Sequence, residues 1–293
     1  MAAKTRTTIH IVDVDGHTLR VGVKRGEGTP LLVFNGIGAN FELLEPLTQA
    51  LEGIETIVFD VPGVGGSGPR LAPYRFGGLA RIAERMLDGL GYRSQVDVLG
   101  VSWGGALAQQ FAHSHRQRCR RLVLAATSAG ALMVPGSLFT LSKMFNPRRY
   151  SDPEYLRRVA PALYGGEIRR DPSLLDDYVR HVKQPPLLGY LHQQFALTGW
   201  TSLFWLPALR QPTLVVAGND DPLVPLINAQ VLARLIPGAR LHVVDDGHLF
   251  LVTGPQRVTP VIRGFLSAPS QERVARRAPP RRARPVPTLA RIR

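Results

Sequence analysis

The stretch Val98–Ala112, VLGVSWGGALAQQFA, decides how this chain is read. Apolar residues run into Gly100-Val101-Ser102-Trp103-Gly104, and an alanine-rich segment of helical character follows. A strand that turns sharply into a helix at Gly-x-Ser-x-Gly exposes the serine hydroxyl at the helix N-terminus, where N–H groups favour developing negative charge. Gly100 and Gly104 keep the flanks small enough for such a turn. The string alone is weak, since a glycine-rich packing turn with an incidental serine also satisfies it. Its surroundings have to decide.

Those surroundings alternate. Apolar runs rich in β-branched residues recur at 31–35 (LLVFN), 56–60 (TIVFD), 96–100 (VDVLG), 121–127 (RLVLAAT), 212–218 (PTLVVAG) and 240–246 (RLHVVDD). Their unbroken apolar character is that of parallel strands covered on both faces. Helical patterns stand between them at 41–52, 76–91, 103–115, 226–236 and 256–266. The expected fold class is therefore α/β, a doubly wound and mostly parallel sheet flanked by helices. Ahead of it, HIVDVDGHTLRVGVKRG at 10–26 alternates around Asp15-Gly16 and reads as an antiparallel hairpin. The stretch from about 135 to 207 breaks the alternation with helical, aromatic-rich sequence and offers no strand. The expected organisation is a core in two parts, 1–134 and 208–266, with a helical cap inserted at 135–207. Tyr190, Phe195, Trp200, Phe204 and Trp205 either form that cap's own core or wall an apolar substrate.

Composition narrows the class. Of the 293 residues, 44% are hydrophobic and 20% charged. Those are ordinary values for a globular chain able to bury a sizeable core. No stretch approaches 18 apolar residues, so no membrane-spanning helix is expected. The N-terminus has no apolar run of the secretory kind, and the cytoplasm is the expected compartment. Cys119 is the one cysteine, which excludes an intrachain disulfide and a cysteine-rich zinc site. Half of the net charge of +14 comes from residues 267–293, with eight Arg against one Glu. Prolines at 279, 280, 285 and 287 oppose regular structure there, so this segment reads as a disordered basic extension able to meet an acidic partner.

On this scaffold a serine nucleophile needs a base, and the base a third group to orient it. Of the eight histidines, His10 and His17 fall in the hairpin, His113 and His115 at the far end of the helix from Ser102, His181 and His192 in the cap, and His242 within a strand. His248, in VVDDGHLFL, lies just past the carboxyl end of the last strand, where such sheets hold their ligands. The acid is expected at the preceding strand end, in VVAGNDDPLVP, with Asp221 the first choice and Asp220 the alternative. Asp245 and Asp246 are expected to make turn hydrogen bonds. The loop after LLVFN and the residue after Ser102 offer the backbone N–H groups of Ile37 and Trp103 to an oxyanion, beside Asn35. DVPGVGGSGP at 60–69 lacks the lysine of a phosphate loop and reads as a turn at the rim. No His/Asp/Glu cluster has metal-ligand spacing and no cofactor is required. These parts suit acyl transfer to water. They do not choose among esterase, lipase, thioesterase and carbon–carbon hydrolase.

LLVFNGIGAN, FDVPGVGGSG, GVSWGGALAQQFAH, LVLAATSAGALMVPG, NPRRY, GWTSLFWLP and VVDDGHLFL together resemble the intracellular depolymerases of medium-chain-length poly(3-hydroxyalkanoates). The likeness runs from about residue 10 to 266 and thins between about 136 and 190. The resemblance implies an α/β-hydrolase fold, a Ser102–Asp221–His248 triad, no cofactor, attachment to intracellular polyester granules and release of (R)-3-hydroxyalkanoic acids. Asn219 stands where an acidic residue is usual, and the Arg-rich tail matches nothing in the family pattern. Trp200, Phe204 and Trp205 are the expected contacts to acyl chains and granule surface. The competing readings are a general carboxylesterase or lipase for medium-chain esters, and a catalytically silent granule-associated protein.

Overall fold

The computed structural model describes residues 6–146 and 148–269. The expected basic tail, from residue 270 onward, lies outside the described residues. Eight strands make one sheet: β1 (Thr7–Val14), β2 (His17–Lys24), β3 (Glu27–Phe34), β4 (Ile54–Phe59), β5 (Val96–Val101), β6 (Cys119–Ala125), β7 (Thr213–Gly218) and β8 (Arg240–Val244). Their spatial order is β1-β2-β4-β3-β5-β6-β7-β8. The first two strands pair antiparallel. Asp15 and Gly16 join them as a two-residue turn, at φ 53° and φ 75° respectively. Both centres are left-handed, as the tightest hairpins require. β2 meets β4 antiparallel, and every later pair is parallel.

The unbroken apolar runs follow from the two faces. Side chains alternate along a strand, so Leu32 and Phe34 of β3, Val98 of β5, Leu122 and Leu124 of β6 and Val215 of β7 enter one core. Leu31, Val33, Leu99, Val123, Leu214 and Val216 enter the other. The first core is covered by α2 (Phe76–Gly89), α3 (Trp103–Ser114) and α10 (Ile227–Leu235). The second is covered by α1 (Glu45–Ala50), α11 (Phe250–Thr253) and α12 (Pro255–Ser267). β8 departs from the expected doubly covered pattern. It is an edge strand whose Leu241 and Val243 are exposed, and only Val244 joins a core.

Between β6 and β7 the chain leaves the sheet and forms α4 (Leu138–Phe145), α5 (Arg148–Ser151), α6 (Pro153–Tyr164), α7 (Gly166–Arg170), α8 (Leu175–His181) and α9 (Leu187–Leu197). Local chemistry starts two of them. Ser137 accepts the Thr140 N–H at the head of α4, and Asp152, followed by Pro153, accepts the Tyr155 N–H at the head of α6. Leu156, Leu163, Ile168, Leu175 and Tyr178 pack with Leu43 and Leu223 from the loops after β3 and β7. This helical layer therefore sits on the carboxyl ends of the strands. There the helix after β3 goes to one face of the sheet and the helix after β5 to the other, the switch point at which α/β sheets bind ligands.

Candidate active site

Ser102 is the hinge between β5 and α3, with φ 53° and ψ −117°. A non-glycine residue in that region costs roughly 1–3 kcal/mol, and the surroundings hold it there. The Ser102 N–H donates to Ala125 O at 2.9 Å, and Thr127 Oγ1 donates to Ser102 O at 2.7 Å. The flanking glycines are required by close approach. A Cβ on Gly100 would stand 2.3 Å from Gly104 O, one on Gly104 2.2 Å from Phe34 O, and one on Gly105 2.4 Å from Thr127 Cβ.

His248 follows β8 in the turn that leads to α11, and its N–H donates to Tyr164 O at 2.7 Å. Its Nε2 lies 3.1 Å from Ser102 Oγ and its Nδ1 2.7 Å from Asp221 Oδ2. A buried carboxylate at Nδ1 sets the tautomer: Nδ1–H donates to Asp221, leaving Nε2 to accept from the serine hydroxyl. Asp221 is held in turn, since its Oδ1 accepts the N–H groups of Leu223 and Val224, both at 2.9 Å. The other acids are engaged elsewhere. Asp220 accepts Gly166 N–H at 2.8 Å and pairs with Arg169 at 2.7 Å. Asp246 accepts the N–H groups of Glu167 and Gly247 and pairs with Arg257, while Asp245 meets Asn219 and Arg170.

Opposite Ser102, the loop after β3 carries Asn35-Gly36-Ile37-Gly38. Neither Ile37 N–H nor Trp103 N–H has an acceptor among the described residues. Asn35 shapes this loop, accepting Gly36 N–H and donating to Asn40 O, both at 2.8 Å. A cavity of about 60 Å³ joins Ser102, His248, Ile37 and Asn35 to Met144, Arg149, Tyr164 and Tyr178 of the helical layer. A larger cavity of about 510 Å³ lies between β2 and α1, lined by Arg20, Lys24, Phe41 and Glu45, and contains none of these groups. Among the described residues no group of three or more His, Cys, Asp or Glu is placed to hold a metal.

A family model for the α/β-hydrolase fold matches residues 29–255. The poly(3-hydroxyalkanoate) depolymerase of Ectopseudomonas oleovorans is 54% identical over 266 residues, 90% of this chain and 94% of that protein. The chain belongs to the α/β-hydrolase family. Solved members share the architecture. A hydrolase from Pseudomonas aeruginosa PA01 superposes with a TM-score of 0.73 at 26% identity, covering 89% of this chain and 98% of that one. A thermophilic esterase from Thermogutta terrifontis gives 0.70 at 26% identity over 89% of this chain and 98% of that one.

Of the aromatic residues expected either to form the cap's core or to wall a substrate, Trp200, Phe204 and Trp205 do not line the cavity at Ser102. Trp200 packs edge-on against Phe76 and Trp205, with its Nε1 donating to Gln110 Oε1 at 2.9 Å. Trp205 stacks on His113 at 4.3 Å, at the opposite end of α3 from Ser102. Neither lines the cavity. The Trp200 indole finds packing on Phe76 of α2 and an acceptor on Gln110 of α3, and Trp205 finds its stacking partner on α3. Phe204 is 79% exposed and also lies outside it. Two residues without an assigned role in the sequence reading do reach the loops of this site. Gln193 on α9 accepts Gly38 N–H through Oε1 at 2.7 Å and the Trp103 indole N–H through its backbone oxygen at 2.8 Å. Tyr150 donates its hydroxyl to Ile37 O at 2.8 Å. Gly38, at φ 68°, is where this contact is closest, since a Cβ there would overlap the Tyr150 hydroxyl.

Proposed function

We propose that this protein hydrolyses the ester bonds of poly(3-hydroxyalkanoate) and releases 3-hydroxyalkanoic acids, with Ser102 as nucleophile. The observation that carries the reading is the hydrogen-bonded chain Ser102–His248–Asp221, with links of 3.1 and 2.7 Å, in a protein 54% identical to a depolymerase of that polyester. His248 Nε2 takes the hydroxyl proton as Ser102 Oγ attacks the ester carbonyl, and Asp221 stabilises the imidazolium. Ile37 and Trp103 donate their free N–H groups to the oxyanion, at the positive end of α3. The imidazolium then protonates the departing alkoxide oxygen to give the free hydroxyl, and a water activated by His248 splits the acyl-serine.

Medium-length side chains, an intracellular compartment and action at a granule surface complete the proposal. Surface contact is assigned to α4 and α9 and to Phe204. Leu138, Phe139 and Leu187 are strongly exposed, and Leu191 is half exposed. Four residues apart, Leu187 and Leu191 share one face of α9. Tyr190 ties α9 to Met144 of α4, and Met144 lines the cavity. The basic tail, with eight Arg and one Glu over 267–293, is assigned to an acidic partner.

Purified protein incubated with medium-chain and with short-chain polyester granules tests the substrate. Release of 3-hydroxy acids from the medium-chain polymer is expected. A protein that cleaves soluble medium-chain esters but neither polymer is the general esterase of the competing reading.

A further inference from the structure

Arg149 lines the cavity that holds Ser102 and His248, and only 4% of it is exposed. A guanidinium stays charged, and burial without an opposite charge is costly. Among the described residues no carboxylate reaches it. Its Nε donates to Met144 O at 2.9 Å, one terminal nitrogen to the Tyr164 hydroxyl at 3.4 Å and the other to the Tyr150 hydroxyl. Burial pushes the Tyr150 and Tyr178 phenols up, so these neighbours stay neutral and supply no counter-charge. Other inward-facing arginines are compensated. Arg20 meets Glu42 and Asp60, and Arg120 meets Asp97. Arg121 ends on three carbonyls at the C-terminus of α12, where the helix dipole is negative, against the one carbonyl in the last turn of α4 that Arg149 meets. Arg149 alone among these faces the catalytic cavity, and a guanidinium carries five N–H donors. Three hydrogen bonds leave part of its fork for an anion.

We infer that Arg149 binds the free carboxylate at the end of a 3-hydroxyacyl chain and so directs cleavage to the terminal ester bond. The inference rests on the ester-hydrolase reading above. In such a chain the terminal ester carbonyl and the carboxylate are separated by one oxygen, one methine and one methylene, a span suited to a small cavity. Ser102 Oγ bonds to the carbonyl carbon, the carbon–oxygen ester bond breaks, and His248 protonates the released oxygen. The leaving 3-hydroxy acid carries the carboxylate held by Arg149, and water then frees the remaining acyl group from Ser102.

The test compares the dimer of 3-hydroxyoctanoate bearing a free carboxylate with its methyl ester, and uses p-nitrophenyl octanoate as a neutral reporter of the triad. Wild type is expected to favour the acid dimer at least tenfold in kcat/KM, mainly through KM. Arg149→Met is expected to bring that ratio to about one, because a charge-assisted bond is lost for one substrate only. Tyr150→Phe, which loosens the Ile37 loop and leaves the charge, should slow both dimers together and keep the ratio. Should Arg149→Met not fold, 3-hydroxyoctanoate must still inhibit wild-type hydrolysis of the reporter competitively at least tenfold better than its methyl ester. No acid preference in wild type, a preference that survives Arg149→Met, or the absence of selective inhibition overturns the inference. In each case turnover of the reporter by wild type, and its loss in Ser102→Ala, leaves the ester-hydrolase reading standing.

Discussion

Ser102 sits at φ 53° because everything around it is small or fixed, and that makes the site sensitive to single atoms. Gly104→Ala places a methyl against the Phe34 and Asn35 carbonyls, backbone that cannot give way. Overpacking of this kind costs about 1–3 kcal/mol, so a Tm lowered by several degrees is expected in thermal unfolding, with activity lost in the folded fraction. Ser102→Ala relieves no contact of comparable size and should fold normally while losing ester hydrolysis. Asp221→Asn should lower kcat by about 10⁴-fold, since an amide that donates to Nδ1 imposes the wrong imidazole tautomer. At this scale much was legible. Ser102, Asp221 and His248 each follow a strand rich in apolar residues, and their order along the chain is the one such a sheet requires. The spacing from Gly218 and the place before Pro222 favour Asp221 over Asp220; what was not legible is that Asp220 is drawn away by Gly166 and Arg169, residues of another segment.

Elements decide how the two free N–H groups are held. The loop after β3 and the turn before α3 are both gripped by Gln193 of α9, and the first also by Tyr150 of α5. Small displacements of reacting groups cost up to about 10²-fold in rate. Gln193→Leu is therefore expected to reduce kcat about tenfold or more on a soluble ester with KM little changed. A rise in KM at constant kcat would instead place Gln193 in substrate binding. On the exposed faces of α4 and α9, Leu138→Ser, Phe139→Ser, Leu187→Ser and Leu191→Ser combined should cut granule hydrolysis several-fold while sparing a soluble ester. Equal losses on both would remove these helices from the surface contact. The periodicity of the chain placed the strands and helices of the sheet to within a few residues and left β8 too buried. It could not show that Gln193 meets Gly38, 155 positions away, because helical composition between β6 and β7 carries no information about register on the sheet.

For the whole molecule, the helical layer and the sheet are joined by charge as well as by apolar packing. Burial alone would raise the Glu42 carboxyl, but hydrogen bonds from Arg20 of β2, from Asn40 and from Lys183 outweigh it and hold it at about 2, against an ordinary 4.5. A carboxyl depressed by folding stabilises the protein fully above its ordinary value, and that contribution drains away as pH falls toward the folded value. Wild type should thus lose more stability than Glu42→Gln between pH 4.5 and 2, read as Tm against pH. Parallel curves would show that this bridge contributes nothing. The layered fold was legible from the alternation of apolar runs and helical patterns. The bridge was not, since Arg20 and Lys183 stand 22 and 141 positions from Glu42. The central claim is that Ser102 takes the acyl group of a 3-hydroxyalkanoate ester. Its most direct test is rapid acid quench of the protein with the dimer of 3-hydroxyoctanoate, followed by intact-mass measurement and peptide mapping. A 3-hydroxyoctanoyl adduct on the Ser102 peptide, absent in Ser102→Ala, is the expected result. Continued release of 3-hydroxyoctanoate by Ser102→Ala, or an adduct on another residue, would contradict the account.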